Sequence, residues 1–236
     1  NIPAYFKLQN IYGYNPAKLR IIQDVIENCD IRNPLVLDLF NTKYIISDVP
    51  YQNESMKIVY QGKKSGMNVI ENLSVLPRAF FVNRYEVKDK YSIINNLKNA
   101  SFNPKEVAYL ENDPGEKVDS LKGTETAKVT SFGIHHISID VFASGKNLLF
   151  VSEVYYPAGW KAYLDGNEIP IYKTNYLWRS VIIPQGNHKL EMRFEPESFK
   201  KGMTISMILN VLIVGVFIAY LIIYGIRYYN KKKVVK

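Results

Sequence analysis

Apolar and polar positions alternate with a period of two through the second half of the chain. In "HISIDV", Ile137, Ile139 and Val141 share one face, and His136, Ser138 and Asp140 share the other. In "KLEMRFE", Leu190, Met192 and Phe194 oppose Lys189, Glu191, Arg193 and Glu195. The turn strings "ASGKN", Asp165-Gly166 and "PQGN" separate such runs. Short alternating runs at this spacing predict an antiparallel β-sandwich over residues 128–199. Asp-Gly between two of them predicts a two-residue hairpin, because both turn positions favour positive φ. That turn pairs Leu164 with Asn167, Tyr163 with Glu168, Ala162 with Ile169, Lys161 with Pro170 and Trp160 with Ile171. Trp160, Ala162, Ile169 and Ile171 then share the apolar face, so Trp160 is expected to face the core. "YLWRSVII" has no plainly polar face, and a strand there is expected to be covered on both sides.

The first part, residues 1–111, mixes two periods and predicts a mixed α/β region. "NPAKLRIIQDVIENC" offers Asn15 as a helix N-cap and Pro16 as the first helical residue. Leu19, Ile22, Ile26 and Cys29 then fall on one helical face, which makes Cys29 a small core residue and not a nucleophile. "LVLDLFN" reads as a second short helix, and "DKYSIINNLKN" as a third, capped by Asp89. "KYIISD", "KIVYQ", "NVIEN" and "AFFVNRYEV" read as strands, rich in β-branched and aromatic residues. "NDPGEK" and "KGTETAK" give residues 112–127 the turn-forming, polar character of a linker. The expected fold class is therefore α+β, with a mixed N-terminal region, a C-terminal antiparallel sandwich and one transmembrane helix.

That helix is the longest apolar run. "MTISMILNVLIVGVFIAYLIIYGI", residues 203–226, holds no charged residue, and a bilayer core needs about 20 apolar residues in helical form. Lys200 and Lys201 precede it; Arg227, Lys231, Lys232, Lys233 and Lys236 follow it. Tyr220, Tyr224, Tyr228 and Tyr229 gather where an aromatic belt would lie. The heavier charge on the far side places the tail 227–236 in the cytoplasm and residues 1–199 outside it. Asn210 is the strongly polar residue deep in the span.

Charge now changes meaning. The net charge of +8 suggests nucleic acid at first sight, but residues 1–199 hold 23 basic and 22 acidic residues. The basicity belongs to the span's flanks, so the expected partner is the lipid bilayer and not nucleic acid. With one cysteine there is no intrachain disulfide. The chain opens on Asn1 without a signal peptide and is expected to be a piece of a longer protein.

Candidate chemistry is sparse. His135 and His136 are adjacent in a strand and point to opposite faces, so they do not chelate one metal together, and His188 lies in a turn without a third ligand. No phosphate loop, nucleophile elbow or helical zinc motif occurs, and no catalytic residue is assigned. The remaining feature is the aromatic stretch "YYPAGWKAYLDGNEIPIY". Tyr155, Tyr156 and Tyr176 lie near loops, where rigid rings could stack on sugar rings. Trp178 and Arg179 stand next to them as candidate binding residues.

The string from Tyr155 to Gly202, followed by a membrane helix, resembles the C-terminal end of the YfhO family of bacterial membrane proteins. The likeness rests on "YYPAGWKA" (155–162, with Ala158 inserted before Gly159), Asp165-Gly166, Pro184–His188 and Pro196–Phe199. Upstream, "IYGYNPAKL", "NTKYII" and "LPRAFFVNRYEV" resemble segments preceding the sandwich in that family. The resemblance implies a polytopic parent in the bacterial cytoplasmic membrane, similar to glycosyltransferases of the GT-C type. It further implies a polyprenyl-phosphate sugar donor for the parent, and a cell-surface glycan or teichoic-acid-like acceptor. Upstream transmembrane helices of the same protein would be partners, and the catalytic acid would lie in an early loop outside residues 1–236. This chain would then be a non-catalytic extracytoplasmic module plus the last span. The competing expectation is a single-span surface protein whose sandwich binds glycan or a protein.

Overall fold

The computed structural model describes residues 5–6, 8–11, 18–30 and 32–234. They form two compact units, residues 1–194 and 195–236.

In the first unit, helices α1 (Arg20–Cys29), α2 (Pro34–Leu39) and α3 (Lys90–Lys98) accompany fourteen strands among the described residues. A five-stranded antiparallel sheet has the order β11-β10-β14-β8-β7, where β7 is Thr126–Phe132, β8 His136–Ala143, β10 Trp160–Leu164, β11 Asn167–Ile169 and β14 Gly186–Phe194. A six-stranded sheet has the order β4-β9-β13-β12-β6-β5. Its strands are β4 (Ala79–Val82), β5 (Arg84–Val87), β6 (Val107–Leu110), β9 (Asn147–Val154), β12 (Tyr172–Thr174) and β13 (Trp178–Ile183). A small third sheet orders β1 (Tyr44–Ser47), β3 (Asn68–Asn72) and β2 (Met56–Gln61). "AFFVNRYEV" thus forms two strands, not one. Asn83 alone separates β4 from β5, yet they stand at the two ends of the hydrogen-bonded order. The sheet therefore curls until its first and last strands meet in one stretch of chain.

Three strands carry the packing. In β4, β9 and β13, Phe80, Val82, Leu148, Phe150 and Trp178 face a core built with Val25, Cys29, Leu35, Val36, Leu39, Ile93 and Leu97 of the helices. Ala79, Phe81, Leu149, Val151, Val181 and Ile183 face the opposite way, onto Ile137, Ile139, Val141, Ala162, Leu190 and Met192 of the five-stranded sheet. Alternation along each strand sends successive side chains into two different cores. This is why "YLWRSVII" shows no polar face. The sandwich is present, and helices cover the back of one of its sheets.

The helices follow their local chemistry. The Asn33 side chain caps α2 by accepting from Leu35 N, 3.0 Å, and Asp89 caps α3 by accepting from Tyr91 N and Ser92 N. In α1 the buried residues are Val25 and Cys29, with Ile21 and Ile22 partly buried, so the apolar stripe is rotated from the expected Leu19–Ile22–Ile26–Cys29 line. Leu19, in an extended conformation, precedes the first helical residue, Arg20. Asn15 and Pro16 lie outside the described residues. Cys29 is a core residue, 3% exposed, and burial pushes its thiol up to about 11.

Residues 112–127 do not link two separate bodies. Strands from both sides of this stretch share the six-stranded sheet, and the stretch is tied down along its length. Asp119 N donates to Lys146 O (2.7 Å), Asn147 Nδ2 to Asp119 O (2.9 Å) and Leu121 N to Asn83 Oδ1 (3.0 Å). Its last two residues, Thr126 and Ala127, already belong to β7. Turn residues mark the bends here, but side-chain bonding to backbone fixes them in place.

The hairpin register is the expected one for Leu164–Asn167, Tyr163–Glu168 and Ala162–Ile169. β11 then ends, and Pro170 and Ile171 leave the ladder. Asp165 (φ 51°) and Gly166 (φ 88°) both take positive φ. The Asp165 carboxylate lies 2.6 Å from His188 Nδ1 and accepts from Lys189 N at 2.8 Å. These bonds hold the carboxyl below the usual carboxylate range.

The second unit is dominated by helix α4 (Glu197–Val234). Residues 197–227 are long and apolar enough to cross a membrane. Asn210 Nδ2 donates to Ser206 O at 2.9 Å, so this polar residue is satisfied within its own helix.

Gly166→Val puts a β-branched residue at φ 88° with no steric neighbour to blame, and should cost about 1–3 kcal/mol by denaturant melting of the detergent-solubilised chain. Because Asp165 titrates below its unfolded value, its contribution is complete above roughly pH 4 and fades as the pH falls further. Asp165→Asn should remove that part of the acid dependence, read as melting midpoint against pH.

Candidate functional site

The aromatic stretch is organised by one ring and one glycine. Between β9 and β10 the chain turns back on itself: Gly159 N and Trp160 N both donate to Tyr156 O, at 3.3 and 3.1 Å. The Phe194 ring, at the end of β14, lies directly on Gly159, where any Cβ would overlap it. Trp160, His135 and Tyr156 surround the same ring, with centroids 5.6, 5.7 and 6.3 Å away. Trp160 is half-buried and packs against the inter-sheet core, as its register predicts.

The five candidate binding residues do not form one surface. Tyr156 is 37% exposed and is the one that faces solvent freely. Tyr155 is half-buried; its N donates to Leu177 O at 2.8 Å, and burial, helped by Glu111, raises its phenol. Tyr176 is 8% exposed, so a sugar ring cannot stack on it. It sits in the left-handed region (φ 74°), and its Oη donates to Asp24 Oδ2 at 2.6 Å. Burial, followed by Asp24, pushes the Tyr176 phenol well up. Trp178 is fully buried among Phe40 and Phe150 in the helix-side core, and its Nε1 has no hydrogen-bond partner. Arg179 is 1% exposed on the sandwich side. Its guanidinium lies 4.4 Å from the Trp160 ring centroid, meets the Met192 sulfur at 3.9 Å, and leaves Nε unpartnered. Burial lowers its pKa to about 10, against the opposing pull of Glu153, so it stays charged at neutral pH. Tyr176, Trp178 and Arg179 are thus structural residues lying beneath any surface that Tyr155 and Tyr156 offer. The physical reason is that β13, which carries Trp178 and Arg179, is a central strand covered on both sides, while Tyr176 is drawn in by its bond to Asp24.

The structure assembles a polar group that sequence reading missed. Glu111 pairs with Lys173 at 2.5 Å, Lys173 Nζ lies 4.5 Å from the Tyr176 ring centroid, and Asp24 pairs with Arg20 at 2.6 Å. These residues come from α1, β12 and the end of β6, and no local motif joins them. On the sandwich side, Arg78 pairs with Glu153 at 2.5 Å and its guanidinium lies 4.2 Å from the Phe132 ring centroid. Each of these carboxylates meets a cation, an arrangement that suits holding elements together better than moving protons. Among the described residues no cluster of three or more His, Cys, Asp or Glu is placed to hold a metal ion.

An α+β body is followed in the chain by an apolar helix long enough to cross a membrane, and the family match agrees with a membrane protein. Residues 99–206, just under half of the chain, match the family model described as bacterial membrane protein YfhO. The match takes in all four motifs of the family's ending, from Tyr155 to Phe199, so the resemblance read from the sequence holds over this stretch. No curated protein and no solved structure matches the chain.

Two substitutions test this arrangement. Gly159→Ala should destabilise the chain by about 1–3 kcal/mol, because Phe194 is hemmed in by three rings and cannot yield cheaply. Arg179→Met removes a buried charge while keeping volume and leaves Glu153 its Arg78 partner, and should be neutral or stabilising by about 1–4 kcal/mol. Arg179→Ala, which leaves a cavity, should instead be destabilising by urea titration.

Proposed function

We propose that this chain is the non-catalytic extracytoplasmic module and final membrane span of a larger glycosyltransferase-like protein of the bacterial envelope. The observation that carries the reading is the family match over residues 99–206, which runs through the sandwich and into the apolar helix. The pairing of Glu111, Asp24 and Glu153 with cations supports a binding and scaffolding role for the body. In this reading the polyprenyl-phosphate sugar donor is handled by upstream membrane helices, and the body presents or guides a glycan or teichoic-acid-like acceptor. The contacts available for that task are Tyr156 and, beside it, Tyr155. Tyr176, Trp178 and Arg179 contribute by fixing the strand beneath them. The sidedness follows from the basic tail: residues 1–199 outside, 227–236 in the cytoplasm.

Titration of the nanodisc-embedded chain with cell-wall polymer fragments should show weak binding that falls about tenfold, or roughly 1.4 kcal/mol, in Tyr156→Ala. Binding that survives Tyr155→Ala and Tyr156→Ala together in a folded chain would remove this surface from the account. Cysteines at Asn112 and Val234, probed in intact cells with an impermeant maleimide, should label at 112 and stay unlabelled at 234. The reverse pattern would sink the orientation.

A further inference from the structure

One edge strand of the first unit is unprotected. A sheet edge invites pairing with a foreign strand unless a charge, a proline, a bulge or a cover prevents it. Among the described strands, every edge but one has such a device. β2 carries Lys57 and a register shift between Ile58 and Tyr60, and β7 carries Lys128 and a shift between Val129 and Ser131. β5 holds Arg84 and Glu86, and β11 holds Glu168 and runs into Pro170. β4 is buried along its whole length. β1 reads Tyr-Ile-Ile-Ser, with no charge, no proline and no shift in its pairing with β3.

The polar backbone of β1 is also turned outward. Asn72 N donates to Lys43 O at 2.8 Å, so antiparallel alternation directs the backbone of Ile45 and Ser47 towards β3 and that of Tyr44 and Ile46 towards the open edge. Among the described residues, no hydrogen bond reaches the Tyr44 or Ile46 backbone from outside this sheet. Ile45 packs inward on Leu37, Met56 and Ile70. Tyr44 and Ile46 stand 52% and 62% exposed on the other face, where Val69 and Tyr60 continue the row from Ile46. The charges that flank the strand are unlike. Lys43 precedes it and Asp48 follows it, both exposed. An antiparallel copy of β1 therefore brings Asp48 of each chain beside Lys43 of the other, at both ends of the contact, whereas a parallel copy brings like charges together.

We infer that the chain pairs with a second copy of itself through β1, antiparallel, about a two-fold axis passing by Ile45. Such an axis stands perpendicular to the sheet and keeps inner faces with inner faces, so residues of the same facing must lie opposite one another. The register centred on Ile45 meets this condition. It sets Tyr44 of each copy against Ile46 of the other as a hydrogen-bonded pair, which exchanges both of its N–H···O bonds. The same pairing lays an aromatic ring beside a β-branched side chain, a favourable cross-strand combination, on each side of the axis. The two small sheets become one, running from β2 through β3 and β1 into the β1 of the other copy. The inference is independent of the glycosyltransferase reading and of the sidedness of the body.

The test uses the full chain in detergent micelles, with its protein mass followed by light scattering and sedimentation across a dilution series. The expected result is twice the mass of one chain at micromolar concentration. Ile46→Lys, an exposed change that adds the charge this edge lacks, should raise the dissociation constant about tenfold while melting stays that of the parent. Register is read by mild oxidation of Ile45→Cys and, separately, Tyr44→Cys. Ile45 faces its own copy as a non-hydrogen-bonded pair with Cα atoms about 4.5 Å apart, so a cysteine there should crosslink. The two copies of residue 44 lie out of step by more than the roughly 7 Å a disulfide spans, so a cysteine there should not. The parent, whose one thiol is buried, gives the background. A parent of single-chain mass would overturn the inference. So would a dimer whose affinity Ile46→Lys leaves unchanged, since its contact would then lie elsewhere, or crosslinking at 44 as fast as at 45. Melting of each variant alongside the parent checks folding, and Ile46→Lys decides the matter by itself if Ile45→Cys disturbs the small core.

Discussion

Strand β13 is buried on both faces, and the rest of the first unit depends on it. Trp178 enters the helix-side core while Val181 and Ile183 enter the inter-sheet core. Truncating a side chain such as Trp178 costs about 3–5 kcal/mol, a large share of the stability of an ordinary domain. Because one strand feeds both cores, neither can loosen alone. The α-helices, which belong to the first hundred residues, are in this way bound to strands formed from the last sixty of the body.

The same constraint decides which aromatic residues can meet a ligand. A central strand leaves no room for exposed rings, so Trp178 and Arg179 are enclosed, and Tyr176 is drawn in by its bond to Asp24. What remains outside is the β9–β10 turn, shaped by the contact of Phe194 with Gly159. That contact gives the glycine of the "YYPAGWKA" motif a physical meaning: the ring needs the space a side chain would fill. The Asp165-Gly166 motif has a comparable meaning, since His188 of the Pro184–His188 motif reaches back to hold its carboxylate. Two of the matched motifs therefore explain each other, as parts of one polar end of the sandwich.

Much of this was legible in the sequence, wherever a local rule is strong. The alternation in "HISIDV" and "KLEMRFE", the cap Asp89, the Asp-Gly register and the apolar run 203–226 all reflect interactions between residues close in the chain. "YLWRSVII" signalled double coverage because neither of its faces is polar. Tertiary choices were not legible. Turn-rich composition at 112–127 cannot distinguish a free linker from a stretch bonded to Lys146 and Asn83. Nothing local indicates that "AFFVNRYEV" divides at Asn83 between two edges of a curled sheet. Nor does the sequence pair Tyr176 with Asp24, which lies 152 positions away on α1. The rotated stripe of α1, with Val25 at its centre, follows from packing against α3 and the sheet rather than from the period of its own residues.

The central claim is that residues 1–194 form one cooperative body in spite of the polar stretch at 112–127. Cutting the backbone of the folded chain tests it most directly. A specific protease site placed at Gly123-Thr124, on the exposed part of that stretch, would separate residues 1–123 from 124–236 covalently. The account predicts that the two pieces stay together through size exclusion in mild detergent and come apart only in a single unfolding transition. Pieces that separate under native conditions, or melt in two independent steps, would contradict it.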